Sequence, residues 1–396
     1  MNPEPTALHT IFLQVNELVK AERWAEAEVV LRQALASGSG PLFLWRQLYI
    51  AFRQQGQFTE ATRVLEMIVQ AAPGDMNARF DLSEMLLLQG EFTRGWREYR
   101  FRYKLDNTRM FERHMQKPRW EGQSIKGKTL LIHDEQGYGD TFQFLRLVQQ
   151  AQARSGAHVV LEVNQEAYNL ARGVSGFNQL IVQGTLPPPF DFHCELMSLP
   201  AAIGLQLSDL PGSVPYLFAD PGRVEKWRAR LADLPRPLVG LVWAGSPTHT
   251  NDKRRSLALS DLAPLAQEGI TFLALQKGPA AKQAHAPPAG MSLLSLSDEI
   301  GDFDDTAAIL SMIDTLVSVD SSPVHLAGAL GRPAWVLLPF LNDWRWLQYG
   351  DSSPWYPGMR LFRQPAPGQW HIALQNVATA LKSLKNATAI RRQAPQ

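Results

Sequence analysis

The spacing of apolar residues changes along this chain, and the change divides it. Over residues 1–110 they recur three and four apart, the period of amphipathic helices. From residue 129 onward, short β-branched and leucine-rich runs alternate with helical stretches. That is the pattern of a parallel sheet with helices on its faces. Strands are predicted at 129–132, 158–163 and 179–182, with a weaker one at 190–196. Helices are predicted at 141–154 and 165–172. The stretch 211–222, PGSVPYLFADPG, has the composition of a linker. A second α/β series follows it, with strands at 238–243, 271–275, 292–296, 316–319 and 334–338. Its helices are predicted near 260–267, 304–313 and 324–330. Residues 105–128 read as a connector anchored by Trp120. After Trp370 one amphipathic helix, 372–384, precedes a polar end. The expected organisation is a helical region (1–110), two α/β lobes (111–217 and 218–385) and a disordered tail (386–396).

The helical region is repetitive. ERWAEAEVVLRQAL begins at Glu22, GQFTEATRVLEMIV at Gly56 and GEFTRGWREYRFRY at Gly90, each 34 residues after the last. Trp45, Leu48, Gly56, Phe58, Ala61, Leu65 and Pro73 of the middle repeat resemble the tetratricopeptide pattern. Small Ala61 suits a close approach of paired helices, and Pro73 ends the second one. In the outer repeats Glu22 replaces the turn glycine and Gly95 the small alanine. Such arrays bind peptide segments in a groove, so the resemblance implies an acceptor protein or peptide as partner. The plainer reading is a scaffold face. Arg94, Arg97, Arg100, Arg102 and Lys104 make the last helix basic.

Composition narrows the choices. The 396 residues suggest two or three domains, and 45% hydrophobic with 19% charged is ordinary for a globular protein. A net charge of +1 gives no global signal for nucleic acid. The single cysteine, Cys194, excludes an intramolecular disulfide and suits a reducing, cytoplasmic setting. The N-terminus lacks the basic-then-apolar order of a signal peptide, and no apolar run is long enough for a transmembrane segment.

Candidate chemistry falls in four places. The first is the turn Gln136-Gly137-Tyr138-Gly139-Asp140, after the first predicted strand. It is neither a Walker loop nor a dinucleotide fingerprint. Asp140 fits two roles, a helix N-cap and a general base. The second is Gly245-Ser246 and the polar loop beyond, with His249, Lys253, Arg254 and Arg255. This is either a solvated basic loop or a set of cations for phosphate. The third is 315–338, TLVSVDSSPVHLAGALGRPAWVLL, a strand–turn–helix–strand unit. Its Asp320, Ser321, Ser322 and Pro323 are helix-start residues that present N–H groups to an anion at a sheet edge. His325 lies in that helix. The plainer reading is a capped crossover. The fourth is PFLNDWRW at 339–346, whose Asn342, Trp344 and Arg345, with Gln276 after an earlier strand, suit a sugar or base; lobe packing is the other reading. Asp302-Phe303-Asp304 precedes a helix, where capping is the expected role. With no H-E-x-x-H and no paired C-x-x-C, no metal is expected.

Across roughly residues 128–365 these pieces resemble the ADP-heptose lipopolysaccharide heptosyltransferase family. Gly139-Asp140 looks like its Gly-Asp, whose aspartate is the catalytic base. Asp320 to Ala327 looks like its Asp-Thr/Ser-Gly-x-x-His-Leu-Ala donor motif, with Ser322 where glycine is usual. Among the three cations, Ser256-Leu257 leading into a helix favours Arg255 as the family's phosphate-binding residue. The helical fusion is similar to bacterial protein glycosyltransferases, including flagellin-modifying ones. The resemblance implies a tetratricopeptide array followed by a GT-B fold of two Rossmann-like lobes. It further implies a nucleotide-sugar co-substrate and metal-independent, inverting glycosyl transfer. The competing reading is a non-catalytic adaptor carrying an inactive GT-B domain.

Overall fold

A computed structural model describes residues 5–36, 40–105, 113, 115–249 and 251–393. The chain forms two compact units, Met1–Arg113 with Leu341–Gln348, and His114–Phe340 with Tyr349–Gln396.

The first unit contains α1 (Pro5–Lys20), α2 (Trp24–Ala34), α3 (Leu42–Gln54), α4 (Phe58–Ala71), α5 (Met76–Leu88) and α6 (Phe92–Tyr99). The turns before α2, α4 and α6 contain left-handed residues, Glu22 at φ 54°, Gly56 at 74° and Gly90 at 81°. The sequence period is thus also a period of backbone conformation. The small residue five positions on repeats as well. Ala27 and Ala61 are fully buried, and a Cβ on Gly95 would lie 2.7 Å from the Leu87 side chain.

Glu22 adopts a conformation that costs an L side chain about 1–2 kcal/mol. Glycine avoids that cost but loses more freedom on folding. Glu22→Gly is expected to stabilise the helical unit by about 0.5–1 kcal/mol, raising its urea midpoint. A lowered midpoint would show that the Glu22 side chain contributes more than its backbone strain.

The segment Leu341–Gln348 belongs to this unit. Trp344 sets its ring edge-on to Trp96, 5.2 Å between centroids, and to Tyr99 at 6.1 Å. The Gln348 N–H donates to the Leu88 carbonyl at 2.9 Å.

The second unit holds two parallel sheets. In the first, β1 (Thr129–His133), β2 (His158–Val163), β3 (Gln179–Val182) and β4 (Phe192–Glu195) run in the order β3-β2-β1-β4. Its helices are α7 (Tyr138–Phe144), α8 (Val148–Ser155), α9 (Tyr168–Ala171) and α10 (Leu199–Ile203). Residues around Arg119 run beside β4: the Trp120 N–H donates to the His193 carbonyl at 2.7 Å, and Trp120 is buried. The connector is therefore attached to the sheet edge at this end.

The second sheet comprises β5 (Leu238–Val242), β6 (Thr271–Ala274), β7 (Leu293–Ser295), β8 (Thr315–Val319), β9 (Ala334–Leu338) and β10 (Met359–Arg363), ordered β10-β9-β8-β5-β6-β7. All its pairings are parallel. The helices are α11 (Pro221–Leu231), α12 (Asp252–Arg255), α13 (Phe303–Leu310), α14 (Ser322–Ala329) and α15 (Trp370–Gln393). Each sheet reverses its strand order once, between β1 and β4 and between β5 and β8. The crevice at the carboxyl ends of such a pair is where open α/β sheets receive ligands.

Several elements differ from the sequence expectation. The helix predicted at 141–154 starts at Tyr138 and is divided by 3-10 residues at Leu145–Leu147. The segment expected near 260–267 is a 3-10 helix, Leu259–Leu265, with Pro264 inside; proline supplies no N–H for a regular α-helix there. β10 and α11 had no counterpart in the pattern. The last helix continues to Gln393 through the alanine-rich 386–390, so most of the expected disordered tail is helical. No described helix is long and apolar enough to cross a membrane.

Candidate active site

The loops leaving β1, β5 and β8 build the site. Gly137, extended at φ −74° and ψ 158°, is the N-cap of α7, which makes Asp140 the third helical residue. One carboxylate oxygen of Asp140 accepts from the Gly137 N–H at 3.3 Å. Asp140 therefore back-caps the helix from within its first turn, a variation on the N-cap expectation. Gln136 is half-buried, Gly137 exposed, and the Tyr138 ring stands edge-on to Phe303 at 5.0 Å.

Beneath this turn lies Asp134, which the sequence reading missed. It is buried and accepts from the Thr141 hydroxyl at 2.8 Å, the Glu135 N–H at 2.8 Å and the Asn164 side chain. Burial pushes its carboxyl pKa up, and these hydrogen bonds act in the opposite direction. It ties the ends of β1 and β2 to the start of α7. The signal available in sequence was an aspartate directly after an apolar strand, masked by its acidic neighbour Glu135.

In the second lobe, Arg255 crosses the β5/β8 reversal. Its guanidinium donates to the Asp320 carbonyl at 2.9 Å and approaches Asp252 at 3.5 Å. It also lies against Gly245, where a Cβ would come within 2.6 Å of Nη2. Lys253 and Arg254 are exposed, whereas the Arg255 side chain is only 16% accessible. The Gly245 N–H donates to Ser256 Oγ at 2.9 Å, and the Ser246 hydroxyl meets that of Thr248 at 2.8 Å. Ser321 is the extended N-cap of α14 and Ser322 its first residue, followed by Pro323. His325 is buried, with Nδ1 3.0 Å from the Tyr356 hydroxyl and Nε2 3.7 Å from Asp320 Oδ1. Half-buried hydroxyls, the start of an eight-residue helix and a held guanidinium form a set suited to an anion.

The two lobes meet at these turns. Gly139 packs so closely on α14 that a Cβ there would lie 2.9 Å from His325 Cδ2 and 3.5 Å from Ser322 Cα. Further contacts join the lobes. The Tyr216 N–H donates to the Ala329 carbonyl at 3.0 Å, Arg146 to the Trp355 carbonyl at 2.8 Å, and Asn169 to Asp304 at 2.7 Å. Asp302 caps α13 by accepting from the Asp305 N–H at 2.9 Å, the role expected for that pair of aspartates.

Other predicted contacts lie elsewhere. The Gln276 side chain accepts from the N–H groups of Trp243 and Ala244 and donates to the carbonyls of Ala244 and Lys277. Its amide is engaged in holding the ends of β5 and β6. The loop read as suiting a sugar or base, or as packing, groups with the helical unit. Asn342 donates to the Leu347 carbonyl at 3.0 Å, Trp344 packs on Trp96, and Arg345 pairs with Asp343 at 2.9 Å. Burying the Trp344 indole among aromatic partners accounts for that placement.

No protein-family model matches the chain. It is 26% identical to Protein FlbA of Caulobacter vibrioides over a 434-residue alignment, covering 92% of this chain and 71% of the relative. Among solved structures, ADP-heptose lipopolysaccharide heptosyltransferase II of E. coli aligns with a TM-score of 0.47 at 16% identity, over 66% of this chain and 99% of its own. A glycosyl transferase family 9 protein of Veillonella parvula aligns with a TM-score of 0.48 at 12% identity, over 67% and 99%.

Proposed function

We propose that the second unit is a GT-B glycosyltransferase that moves a sugar from a nucleotide-sugar to an acceptor hydroxyl with inversion. The observation that carries this reading is the packing of Gly139 on His325 and Ser322. It brings a carboxylate-bearing turn of one lobe to the anion-suited helix start of the other. The donor diphosphate would lie along Gly245, Ser246, Arg255, Ser321, Ser322 and His325, with the acceptor beside Gln136 to Asp140. Asp140 takes the proton of the acceptor hydroxyl as its oxygen attacks the anomeric carbon. The bond from that carbon to the diphosphate breaks, and the nucleoside diphosphate departs with its added charge on Arg255 and the α14 N–H groups. The helical unit, read as a tetratricopeptide array, binds an acceptor protein and raises its local concentration. A cytoplasmic setting supplies the donor and suits buried Cys194.

The test is slow hydrolysis of a nucleotide-sugar panel without acceptor. Turnover of one donor is expected, whereas a non-catalytic adaptor would release no sugar. Because Arg255 serves the leaving group, adding Mg²⁺ or Mn²⁺ to chelator-treated protein should leave transfer unchanged. A strict requirement for either ion would return attention to Asp302 and Asp304.

A further inference from the structure

We propose that His133, His193 and Glu195 form a site for a borderline divalent cation of the Zn²⁺ and Co²⁺ class, joining β1 to β4. The inference is independent of the glycosyltransferase reading and uses none of its residues.

The β1–β4 register pairs His133 with Glu195 and Leu131 with His193. Residues two apart on a strand share a face, so the three side chains gather on one side of the sheet at its strand-order reversal. His133 Nε2 lies 3.3 Å from His193 Nδ1, and His193 Nδ1 lies 3.9 Å from Glu195 Oε1. The three donor atoms are all within 4.8 Å of one another. Bonds of about 2.0–2.2 Å join donors up to about 4.4 Å apart; the 3.3 and 3.9 Å pairs satisfy this, and the third pair, within 4.8 Å, needs a shift of at most a few tenths of an ångström. Two histidines and one carboxylate are a donor set that Zn²⁺ and related ions accept.

Burial limits what can enter. The three residues are 1%, 5% and 2% exposed, which leaves an ion or a proton as the possible guest and excludes an organic ligand. The carboxylate is already oriented, since Arg119 forks onto it at 2.7–3.1 Å and the Ser198 hydroxyl donates at 2.8 Å. Such outer hydrogen bonds fix ligating carboxylates in metal sites. Arg119 also raises the cost of a nearby cation. Glu162 opposes that cost: it is fully buried and is the partner of His133 in the β1–β2 register, on the same face. The competing guest is one proton shared by the two imidazoles.

The experiment is a Co²⁺ titration of the 396-residue chain after chelator treatment, followed by visible absorption and metal content. One Co²⁺ per chain with ligand-field bands, displaced by Zn²⁺ and accompanied by a rise in Tm, is the expected result. Glu195→Gln and His193→Ala should each weaken Co²⁺ binding by roughly 100-fold or more, at or beyond the upper end for outer-shell changes. Glu195→Gln keeps the side-chain shape and carries the test should His193→Ala not fold. Absence of stoichiometric uptake by the wild-type chain would overturn the site in favour of the shared proton. Uptake and spectra unchanged in both variants would overturn it by placing the ion elsewhere.

Discussion

Asp140→Asn should lower glycosyl transfer by roughly 10²–10⁴ while folding and nucleotide affinity stay near wild type. The structure makes this substitution discriminating. Asp140 is the third residue of α7, and one of its oxygens accepts from the Gly137 N–H. Asparagine retains an acceptor for that back-cap and the same volume, so α7 keeps its start. What it loses is the negative charge near a helix N-terminus, about 0.3–1 kcal/mol, and the ability to take a proton. Steady-state transfer, nucleotide binding and Tm separate the cases. A fall in kcat at constant affinity and Tm marks the base. Near-wild-type turnover would leave Asp140 as a cap and sink the mechanism, though not the fold. A large matched fall in Tm would assign it a structural role.

Local signals were the legible ones. The period of 34 predicted the helical region, and the structure returns it as left-handed φ at Glu22, Gly56 and Gly90. Short apolar runs marked nine of the ten strands among the described residues, and N-cap residues after one of them marked α14. β10 was obscured because arginines at 360 and 363 interrupt its apolar positions; burial beside β9 decides it. Contacts between distant residues were the illegible ones. Trp344 finds its partners at Trp96 and Tyr99, far earlier in the chain, so its loop read as a ligand-binding segment. His133 and Glu195 become neighbours only through the β1–β4 register. Gln276 looked available because nothing local shows the four backbone groups that engage its amide.

Arg255→Ala should weaken nucleoside diphosphate binding by about 1.5–3 kcal/mol, the range for a hydrogen bond to a charged group, or roughly 10- to 150-fold. Three adjacent cations occupy this loop, and their surroundings differ. Lys253 and Arg254 are exposed and can give a phosphate only a screened, mobile charge. Arg255 is held between Gly245 and the Asp320 carbonyl, where the loops after β5 and β8 converge. Its orientation is already fixed, so little side-chain freedom is lost when an anion arrives. Lys253→Ala and Arg254→Ala should accordingly change affinity by less than about threefold, within the range of exposed ion pairs. Arg255→Lys should fall between wild type and alanine, because it restores the charge without the planar fork. Thermal shift against ADP, UDP, GDP and CMP selects the nucleotide, and calorimetry on that nucleotide then ranks the four variants. An affinity unchanged in Arg255→Ala would remove this residue from the donor site. Equal losses at all three positions would replace a specific contact with a diffuse electrostatic field.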